Sequence, residues 1–215
     1  MYKKKSLFVT FEGIEGAGKS YQSQQLYKNL KRNNISVVLT REPGGTIGAE
    51  RIRKVILDDY FHPNSKEQFN KYTDTLLYLA ARNEHVEKKL KPAILKKKII
   101  ICDRFIDSTM AYQVHGKGVS KNLVDSVHKY ILGNIKPDLT FILKVNISVA
   151  LRRLKKRKRK NRYDKFSKDF YARAQNAFIN IAKKNKRKYS IIDNSKDSDE
   201  VEKAILKRFN KVLEK

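Results

Sequence analysis

Residues 13–20 combine the residue types and the spacing that hold the phosphates of a nucleotide. Their sequence, Gly13-Ile14-Glu15-Gly16-Ala17-Gly18-Lys19-Ser20, matches the pattern G-x-x-x-x-G-K-[ST]. Glycines let backbone N–H groups turn inward around phosphate oxygens, and the N-terminus of a following helix adds a favourable dipole. In such a loop Lys19 reaches the β- and γ-phosphates, and the hydroxyl of Ser20 ligates Mg²⁺. The pattern therefore predicts binding of ATP or GTP together with Mg²⁺.

Arginine and tyrosine side chains in three further segments are candidates for binding a second substrate. Arg41 and Arg104 each follow a short apolar run, and a planar guanidinium can bind two phosphate oxygens at once. Tyr78 and Arg82 are spaced to share one face of a predicted helix, where they can stack on a base and hydrogen-bond to it. Each also has a structural interpretation. Arg41 and Arg104 can form ion pairs, Tyr78 can pack in the core, and Arg82 can be a surface cation or helix-cap partner.

Short apolar runs alternate with longer amphipathic stretches along the chain. The runs predict strands at residues 7–11, 36–40, 98–102, 139–143 and 190–193. The amphipathic stretches predict helices at about 19–32, 74–90, 121–132 and 199–213. Continuous apolar strands bounded by helices are typical of a parallel sheet covered on both faces. We therefore expect a three-layer α/β fold with its ligands at the carboxyl ends of the strands.

The composition excludes several classes of protein. No apolar run approaches the roughly 20 residues that span a bilayer, and the apolar stretch near the N-terminus is too short for a secretory signal. A single cysteine, Cys102, excludes an intrachain disulfide and is expected in the core. With 215 residues and no glycine- or serine-rich linker, we expect one domain over residues 1–215. The sequence thus predicts a cytoplasmic globular protein with no membrane partner.

Basic residues outnumber acidic ones by 49 to 22, which gives a net charge of +27. A basic excess attracts polyanions such as nucleic acids, membrane surfaces or phosphorylated ligands. The lysines are spread along the whole chain, so frequent use of lysine at solvated positions also accounts for the charge. Only residues 155–160, KKRKRK, form a continuous basic block, which needs its own explanation.

Together these segments resemble bacterial thymidylate kinases from residue 7 to about residue 193, nearly the whole chain. The resemblance is carried by FEGIEGAGKS at 11–20, TREPGGT at 40–46, AAR at 80–82, DR at 103–104, ST at 108–109 and AYQ at 111–113. The Arg-Glu-Pro-Gly-Gly segment is particularly specific to this family among phosphate-loop kinases. The resemblance implies a phosphate-loop NTPase fold, a homodimer, and a reaction of ATP with dTMP that gives ADP and dTDP with the help of Mg²⁺.

The resemblance also implies how dTMP is bound. The implied binding residues are Arg41, Pro43, Tyr78, Arg82, Arg104, Ser108, Thr109, Tyr112 and Gln113. Arg41 and Arg104 match the ligands of the dTMP phosphate. Tyr78, where the family more often has Phe, matches the ring that stacks on thymine, and Arg82 matches the arginine that bonds thymine O4. Tyr112 matches the residue that crowds the ribose 2′ position and favours a deoxynucleotide.

Further positions match the parts of the family's site that surround the reacting groups. Glu15 matches the phosphate-loop acid near the acceptor 3′-hydroxyl and the metal shell. Asp103 matches the acid that positions Mg²⁺, so the expected metal ligands are Ser20 and Asp103. Pro43 matches a proline that the family usually holds in the cis form, and Thr109 matches a residue that contacts the base.

The basic block lies in the position of the family's lid, at about residues 153–165. There, arginines close over the ATP phosphates and supply positive charge to the transition state. Arg162 matches the arginine of the family's Asp-Arg-x-Glu segment, and Arg153 and Arg157 match basic positions. We expect Arg153 to bind ATP phosphate, and Arg157 or Arg162 to act as an arginine finger in cis. The additional lysines are interpreted as solvated lid surface.

Phosphoryl transfer to a nucleoside monophosphate needs no general base, because the acceptor phosphate is already mostly dianionic near neutral pH. Catalysis must therefore come from positioning and positive charge. The expected catalytic residues are Glu15, Lys19, Asp103, Arg157 and Arg162. The four histidines show no metal-ligand spacing and are interpreted as ordinary surface or core residues.

Two other functions stay open at this point. Another deoxynucleoside or nucleotide kinase would use the same loop, but a nucleoside acceptor has no phosphate for Arg41 and Arg104 and needs a base for its 5′-hydroxyl. A nucleic-acid-binding phosphate-loop ATPase would explain the charge, but the basic block lacks interleaved aromatic residues and no nucleic-acid module is recognisable. We therefore expect ATP and dTMP as partners, and no functional nucleic-acid partner.

Overall fold

The strands build a parallel sheet at the centre of the protein. A computed structural model describes residues 6–57, 68–157, 162–196 and 198–214. The strands are β1 (Phe8–Glu12), β2 (Val37–Arg41), β3 (Ile99–Asp103), β4 (Leu139–Lys144) and β5 (Tyr189–Asp193). They pair in the order β2-β3-β1-β4-β5, and each of these pairings is parallel.

Helices connect the strands and cover the sheet. The α-helices are α1 (Lys19–Arg32), α2 (Ile47–Leu57), α3 (Lys71–His85), α4 (Lys91–Leu95), α5 (Ile106–Thr109), α6 (Lys121–Leu132), α7 (Ile147–Lys155), α8 (Lys168–Lys183) and α9 (Asp199–Leu213). Shorter turns are π-helical at Val86–Leu90 and Met110–Gly116 and 3₁₀-helical at Arg162–Lys165. The predicted α/β architecture is confirmed. Within the described ranges, no helix is long and apolar enough to cross a membrane.

Side chains at the helix starts explain where several helices begin. The side-chain oxygens of Asn70, Ser120, Asn146 and Ser167 accept hydrogen bonds from backbone N–H groups in the first turns of α3, α6, α7 and α8. Helix α1 begins instead after Gly18, whose φ is 85° and which has no side chain to cap the helix. The N–H groups at the start of α1 are therefore available to an anion.

Apolar side chains form two packed clusters on the sheet. Phe11 and Phe141 belong to the larger cluster, with ring centroids 5.1 Å apart. Phe8 and Phe105 belong to the second cluster, with ring centroids 4.9 Å apart. Cys102 on β3 is fully buried in this second cluster, as expected, and burial raises the pKa of its thiol well above the ordinary value. Both β1 and β3 contribute side chains to each cluster, so these two strands are packed on both faces.

The carboxyl ends of β1, β2 and β3 are neighbours, so the segments predicted to bind substrates meet at one edge of the sheet. The phosphate loop follows β1, residues 42–46 follow β2, and Arg104 follows β3. Arg104 has a φ of 70°, a conformation that is uncommon for residues other than glycine. Such conformations often occur at functional sites, where the surrounding structure holds them in place.

Candidate active site

A cavity of about 390 Å³ opens at this edge of the sheet. It is lined by Glu15, Gly16, Gly18, Lys19, Ser20, Arg41, Pro43, Tyr78, Arg82, Asp103, Arg104, Ser108, Thr109, Tyr112, Gln113, Arg153 and Arg157, all of them predicted site residues. Gly13, Ile14 and Ala17 are buried in the loop, and Arg162 is bound to α3 instead. The fold thus brings most of the predicted residues together.

The phosphate loop has glycine where the chain passes close to α7. Gly16 has a φ of 75°, and a Cβ there would lie 2.6 Å from the carbonyl oxygen of Ala150. Lys19 is buried, and its Nζ donates to the carbonyl oxygen of Ile14 at 2.7 Å. Burial, followed by the nearby Arg104, lowers the pKa of Lys19 to about 8. The loop can therefore offer backbone N–H groups and one ammonium to a triphosphate.

Ser20 and Asp103 form a pair of oxygen ligands that fits Mg²⁺. Ser20 Oγ donates to Asp103 Oδ2 at 2.5 Å, while Asp103 Oδ1 is buried and makes no hydrogen bond to a described residue. In the described part of the chain, no cluster of three or more His, Cys, Asp or Glu side chains could hold a metal ion. Mg²⁺ commonly takes one or two protein oxygens and completes its shell with phosphates and water. The pair therefore fits a Mg²⁺ ion that binds together with a nucleotide.

Arg104 lies between the phosphate loop and α5. Its Nη1 donates to the carbonyl oxygen of Gly13 at 2.9 Å and to Ser108 Oγ at 3.0 Å, and its Nη2 donates to Glu15 Oε1 at 2.7 Å. Tyr112 donates its hydroxyl to the other oxygen of Glu15, and its ring centroid lies 5.3 Å from the Arg104 guanidinium carbon. Burial alone would raise the pKa of Glu15, but Arg104, followed by Lys19 and the hydrogen bond from Tyr112, outweighs it and holds that pKa below its ordinary value. Glu15 is therefore ionised and fixes Arg104 at the cavity wall.

Glu12, at the end of β1, holds the start of α5 behind Arg104. Its Oε1 accepts from the backbone N–H of Phe105 at 2.7 Å, and its Oε2 accepts from Ser108 Oγ at 2.6 Å. Burial, followed by the nearby Asp107, raises the pKa of Glu12 to about 7. Because Ser108 donates to Glu12, its oxygen is oriented to accept from Arg104.

Two more arginines line the cavity beside Arg104. Arg41 is 53% exposed, and its Nη2 lies 2.9 Å from Glu50 Oε2. Arg53 on α2 donates from Nη1 to the carbonyl oxygen of Pro43 at 2.7 Å. The peptide bond between Glu42 and Pro43 is cis, as the resemblance implied. This side of the cavity therefore carries three guanidinium groups, a suitable environment for a phosphate dianion.

A buried network fixes Arg82 on α3. Its Nε donates to Glu42 Oε2 at 2.7 Å, and its Nη2 donates to the carbonyl oxygen of Phe105 at 2.9 Å. Its Nη1 donates to Thr109 Oγ1 at 2.9 Å and to His128 Nε2 at 2.7 Å. Arg82 is only 2% exposed, yet it lines the cavity. The surface-cation interpretation of Arg82 is therefore wrong.

Glu42 is held from its other side by His85. His85 Nδ1 lies 2.8 Å from Glu42 Oε1, and its Nε2 lies 2.7 Å from Thr40 Oγ1. Burial alone would raise the pKa of Glu42, but Arg82 and His85 outweigh it and hold that pKa below its ordinary value. A charged Glu42–Arg82 pair is therefore buried beside the cavity.

Tyr78, which lines the cavity, contacts the predicted lid. Its hydroxyl donates to that of Tyr163 at 2.5 Å, and the two ring centroids lie 6.5 Å apart. Gln113 Nε2 also donates to the Tyr163 hydroxyl, at 3.5 Å. Tyr163 belongs to the turn Arg162–Lys165, inside the predicted lid. The ring predicted to stack on the base therefore contacts the lid directly.

The three arginines predicted for the lid have different surroundings in the structure. Arg153 donates from Nη1 to the carbonyl oxygen of Gly16 at 3.0 Å and from Nη2 to that of Asn194 at 2.9 Å. Arg157 lines the cavity. Arg162 forms an ion pair with Asp74, a buried residue of α3. Residues 158–161 of the predicted lid lie outside the described residues.

The sequence model of the thymidylate kinase family matches residues 11–205. The chain belongs to this family. A thymidylate kinase from Mycoplasma capricolum is 39% identical over 197 residues, which cover 91% of this chain and 90% of that protein. One from Wolbachia pipientis subsp. Culex pipiens is 43% identical over 197 residues, with 90% and 89% covered. The crystal structure of thymidylate kinase from Ehrlichia chaffeensis matches with a TM-score of 0.75 and 34% identity, over 96% of this chain and 99% of that chain.

Membership of the thymidylate kinase family confirms the predicted phosphate-loop NTPase fold. It also confirms the predicted class of enzyme, a nucleoside monophosphate kinase that phosphorylates dTMP with ATP. The roles of individual side chains stay predictions.

Sequence reasoning missed several residues that support the thymidylate kinase site. Arg53 could have been found from the sequence, because it shares one face of its helix with the buried Ala49 and Ile56. A charged side chain on a buried helix face is unfavourable unless it has a partner or a function. His85 and His128, interpreted as ordinary residues, lie in the buried network around Arg82 and Glu42. The three-residue spacing of Arg82 and His85 was visible, but nothing near His128 in the sequence indicates its contact with α3.

Proposed function

We propose that this member of the thymidylate kinase family transfers the γ-phosphoryl group of ATP to dTMP within the cavity at the carboxyl edge of the sheet. One observation carries the proposal: residues of the phosphate loop from Glu15 to Ser20 and a wall with three arginines line the same cavity. The loop suits the triphosphate of the donor. The arginine wall suits an acceptor that already carries a phosphate, which a nucleoside does not.

On the donor side, residues 13–20 would surround the β- and γ-phosphates of ATP. The N–H groups at the start of α1 and the ammonium of Lys19 neutralise phosphate charge there. Arg153 adds a cation beside the loop, held by the carbonyl oxygens of Gly16 and Asn194. Ser20 and Asp103 would hold Mg²⁺, which would supply further neutralisation of phosphate charge.

On the acceptor side, Arg41, Arg53 and Arg104 would bind the dTMP phosphate. Because this phosphate is mostly dianionic near neutral pH, one of its oxygens can attack the γ-phosphorus without first losing a proton. The bond between the γ-phosphorus and its bridging oxygen then breaks, and ADP leaves. Glu15 is not needed as a base, so its role is to hold Arg104 and Tyr112, both of which it binds.

Arg157 is our choice for the arginine finger. It lines the cavity, whereas Arg162 is bound to Asp74 on α3. A finger must reach the oxygens of the transferred group, where charge develops in the transition state. The contact of Arg162 with α3 gives that residue a different role, which is to fix the turn Arg162–Lys165 against the acceptor side.

Three side chains would select the acceptor nucleoside. Tyr78 would stack on the thymine ring, because its phenol replaces the family's usual Phe without loss of the aromatic face. Arg82 would donate to thymine O4. Tyr112, 4% exposed and held by Glu15, would crowd the ribose 2′ position.

A coupled assay of ADP release tests the proposed function directly. The purified chain is given ATP and Mg²⁺ with dTMP, dUMP, UMP, AMP or thymidine. We expect dTMP to be the preferred acceptor and thymidine to be inert, since it lacks the phosphate that the three arginines bind. Equal turnover of AMP or of thymidine would contradict the proposal.

We further propose that residues 1–215 form a single nucleotide-kinase domain with a basic lid at about 153–165, that it acts in the cytoplasm as a homodimer, and that it has no functional nucleic-acid partner. The dimer is supported by large apolar side chains that α2 and α3 leave partly exposed. These are Ile47, Val55, Tyr72 and Leu76, with 80%, 46%, 40% and 49% exposure. Sedimentation should give twice the chain mass of 25.1 kDa.

A further inference from the structure

The guanidinium of Arg82 has almost no donors left for a ligand. An arginine side chain carries five N–H donors and accepts none. In Arg82, four of them meet protein acceptors, namely Glu42, Thr109, His128 and the carbonyl oxygen of Phe105. One N–H, on Nη2, meets no acceptor in the described ranges, and Arg82 lines the cavity. The side chain therefore has at most a single donor left for whatever occupies the cavity.

His128 supplies one of the four acceptors from a different helix. It lies on α6, is 9% exposed, and its Nε2 is 2.7 Å from Arg82 Nη1. Because a guanidinium only donates, His128 Nε2 must accept and carries no proton. Burial, followed by the positive charge of Arg82, lowers the pKa of His128 to about 3, against the opposite effects of Glu42 and Asp125. The imidazole therefore stays neutral throughout the pH range of an enzyme assay.

We propose that His128 is a positioning residue that, by accepting from Nη1, turns the guanidinium of Arg82 so that only one N–H faces the acceptor base. This inference rests on the proposed function, because it takes the base of a nucleoside monophosphate as the ligand of that N–H. A single donor pairs with a single acceptor, such as the O4 carbonyl of thymine or uracil. An amino group in the same place, as in cytosine, would set donor against donor. His128 thus acts on the choice of base without touching the base.

The other three acceptors cannot be tested as cleanly as His128. Replacing Glu42 removes a buried charge, and Thr109 itself lines the cavity. The carbonyl oxygen of Phe105 belongs to the backbone and cannot be removed by substitution. His128 is neutral, so its replacement changes one acceptor and leaves the charge of the network intact. Without the imidazole, one N–H of Nη1 is buried without an acceptor, and this cost favours rotation of the guanidinium away from its present orientation.

The test compares two substitutions of His128 that differ in a single property. His128→Leu removes the acceptor, whereas His128→Asn keeps a carbonyl oxygen that can accept from Nη1. The values of kcat and KM are measured with dTMP, dCMP and ATP. We expect His128→Leu to raise the KM for dTMP roughly ten-fold and to lower the preference for dTMP over dCMP by a similar factor. The KM for ATP should stay unchanged, and His128→Asn should restore most of both losses.

Two further variants distinguish a positioning role of His128 from a purely structural one. His115→Leu, at an exposed histidine, is the matched control and should behave as wild type. In an Arg82→Met background, His128→Leu should add no further loss of base preference, because the group it positions is gone. If His128→Leu does not fold, His128→Ala takes its place in the comparison with His128→Asn.

The possible results distinguish a failure of the inference about His128 from a failure of the proposed function. An unchanged base preference in the leucine or alanine variant overturns the inference, and so does a loss in which the KM values for dTMP and ATP rise together. An equal loss in the Arg82→Met background overturns it as well. Wild-type turnover of dTMP is measured first, and its absence would overturn the proposed function itself. Normal wild-type turnover with an inert His128 would overturn only the inference about His128.

Discussion

The donor half and the acceptor half of the cavity are built in different ways. The proposed donor half is built mainly from one continuous stretch, residues 13–20, with Asp103 and Arg153 beside it, and would bind mainly through backbone N–H groups and the ammonium of Lys19. The proposed acceptor half is assembled from segments far apart in the sequence, and it would bind through arginines that already have carboxylate partners. These pairs are Arg104 with Glu15, Arg82 with Glu42, and Arg41 with Glu50.

This difference has a physical cause. Cations gathered in one place repel one another, and burial, followed by Arg41, lowers the pKa of Arg53 in the acceptor half. Carboxylate partners offset that repulsion and fix Arg41, Arg82 and Arg104, whereas Arg53 is held by the carbonyl oxygen of Pro43. The proposed donor half has less positive charge of its own to balance, and Mg²⁺ would add positive charge there only together with the triphosphate. The acceptor half is thus preorganised by its own side chains, whereas the donor half is preorganised by its backbone.

The largest effect should come from Arg157, the residue proposed to act between the two halves. We expect Arg157→Ala to lower kcat by at least roughly 10³-fold with a much smaller change in the KM for dTMP, because arginine fingers contribute roughly 10³–10⁵ in turnover. Arg153→Ala and Arg162→Ala are measured beside it, and Arg162→Ala should lower kcat less because its guanidinium is bound to Asp74. Near-normal kcat values in all three variants would show that the charge comes from elsewhere.

A second prediction concerns the acceptor half alone. Arg104→Met should raise the KM for dTMP roughly a hundred-fold, because it removes charged hydrogen bonds to the phosphate and leaves Glu15 buried without its partner. The KM for ATP should change much less. Initial rates with each substrate varied in turn measure both values, and Arg173→Met, at an exposed arginine of α8, is the matched control. A similar rise in both KM values would mean that the two halves do not act separately.

A third prediction concerns the deoxyribose. Tyr112→Ala should lower the preference for dUMP over UMP roughly ten-fold, because it opens the space beside the 2′ position. Tyr112→Phe keeps the ring but loses the hydrogen bond to Glu15, so it should retain most of that preference. The ratio of kcat/KM for the two nucleotides is the measurement. An unchanged ratio in Tyr112→Ala would remove the crowding role from this residue.

The smallest effect concerns pH and the donor half. Burial, followed by Arg104, lowers the pKa of Lys19 to about 8, so the free protein loses this ammonium as the pH rises through that value. Because the ammonium is needed at the phosphates, ATP binding should weaken about four-fold between pH 7 and 8.5, and it should take up about half a proton at pH 8. Calorimetric titrations in two buffers of different ionisation enthalpy measure the uptake. It should vanish at pH 6, and its absence at pH 8 would contradict the lowered pKa.

Most of the fold could be predicted because its signals are local. The predicted strands agree with β1 to β5 within one residue at each end, since buried parallel strands are continuous apolar runs. The predicted helices at 19–32, 121–132 and 199–213 coincide with α1, α6 and α9. The helix predicted at 74–90 is wrong in extent. It begins earlier, after the capping residue Asn70, and it changes at residue 86 to a π-helical turn that apolar spacing does not encode.

Helices α2 and α8 were not predicted, for different reasons. Helix α2 buries only Ala49 and Ile56 among its apolar side chains, which leaves a weak apolar stripe. Helix α8 buries Phe170, Ala174 and Phe178 at helical spacing, so there the signal was present in the sequence. A short or shallow helix is hard to find by this route, whereas α8 could have been found.

The candidate site shows the same contrast between local and distant signals. The phosphate loop could be predicted from residues 13–20 alone, because its binding groups are contiguous. The ion pair of Arg162 with Asp74 joins residues 88 positions apart, and no pattern in either segment predicts it. The contact of His128 with Arg82 is of the same kind. Such partners are decided by how the helices pack, which a single sequence does not display.

The buried thiol of Cys102 has a practical consequence for site-specific fluorescent labelling of this enzyme. It is the sole cysteine of the chain, it is fully buried, and burial keeps its pKa well above the ordinary value. Labelling reagents react with exposed thiolates, so the folded protein should leave them unreacted. A cysteine introduced at the exposed Lys156, within the proposed lid, would then be the single point of attachment for a fluorophore. Its emission would follow the lid during turnover without background signal from the rest of the chain.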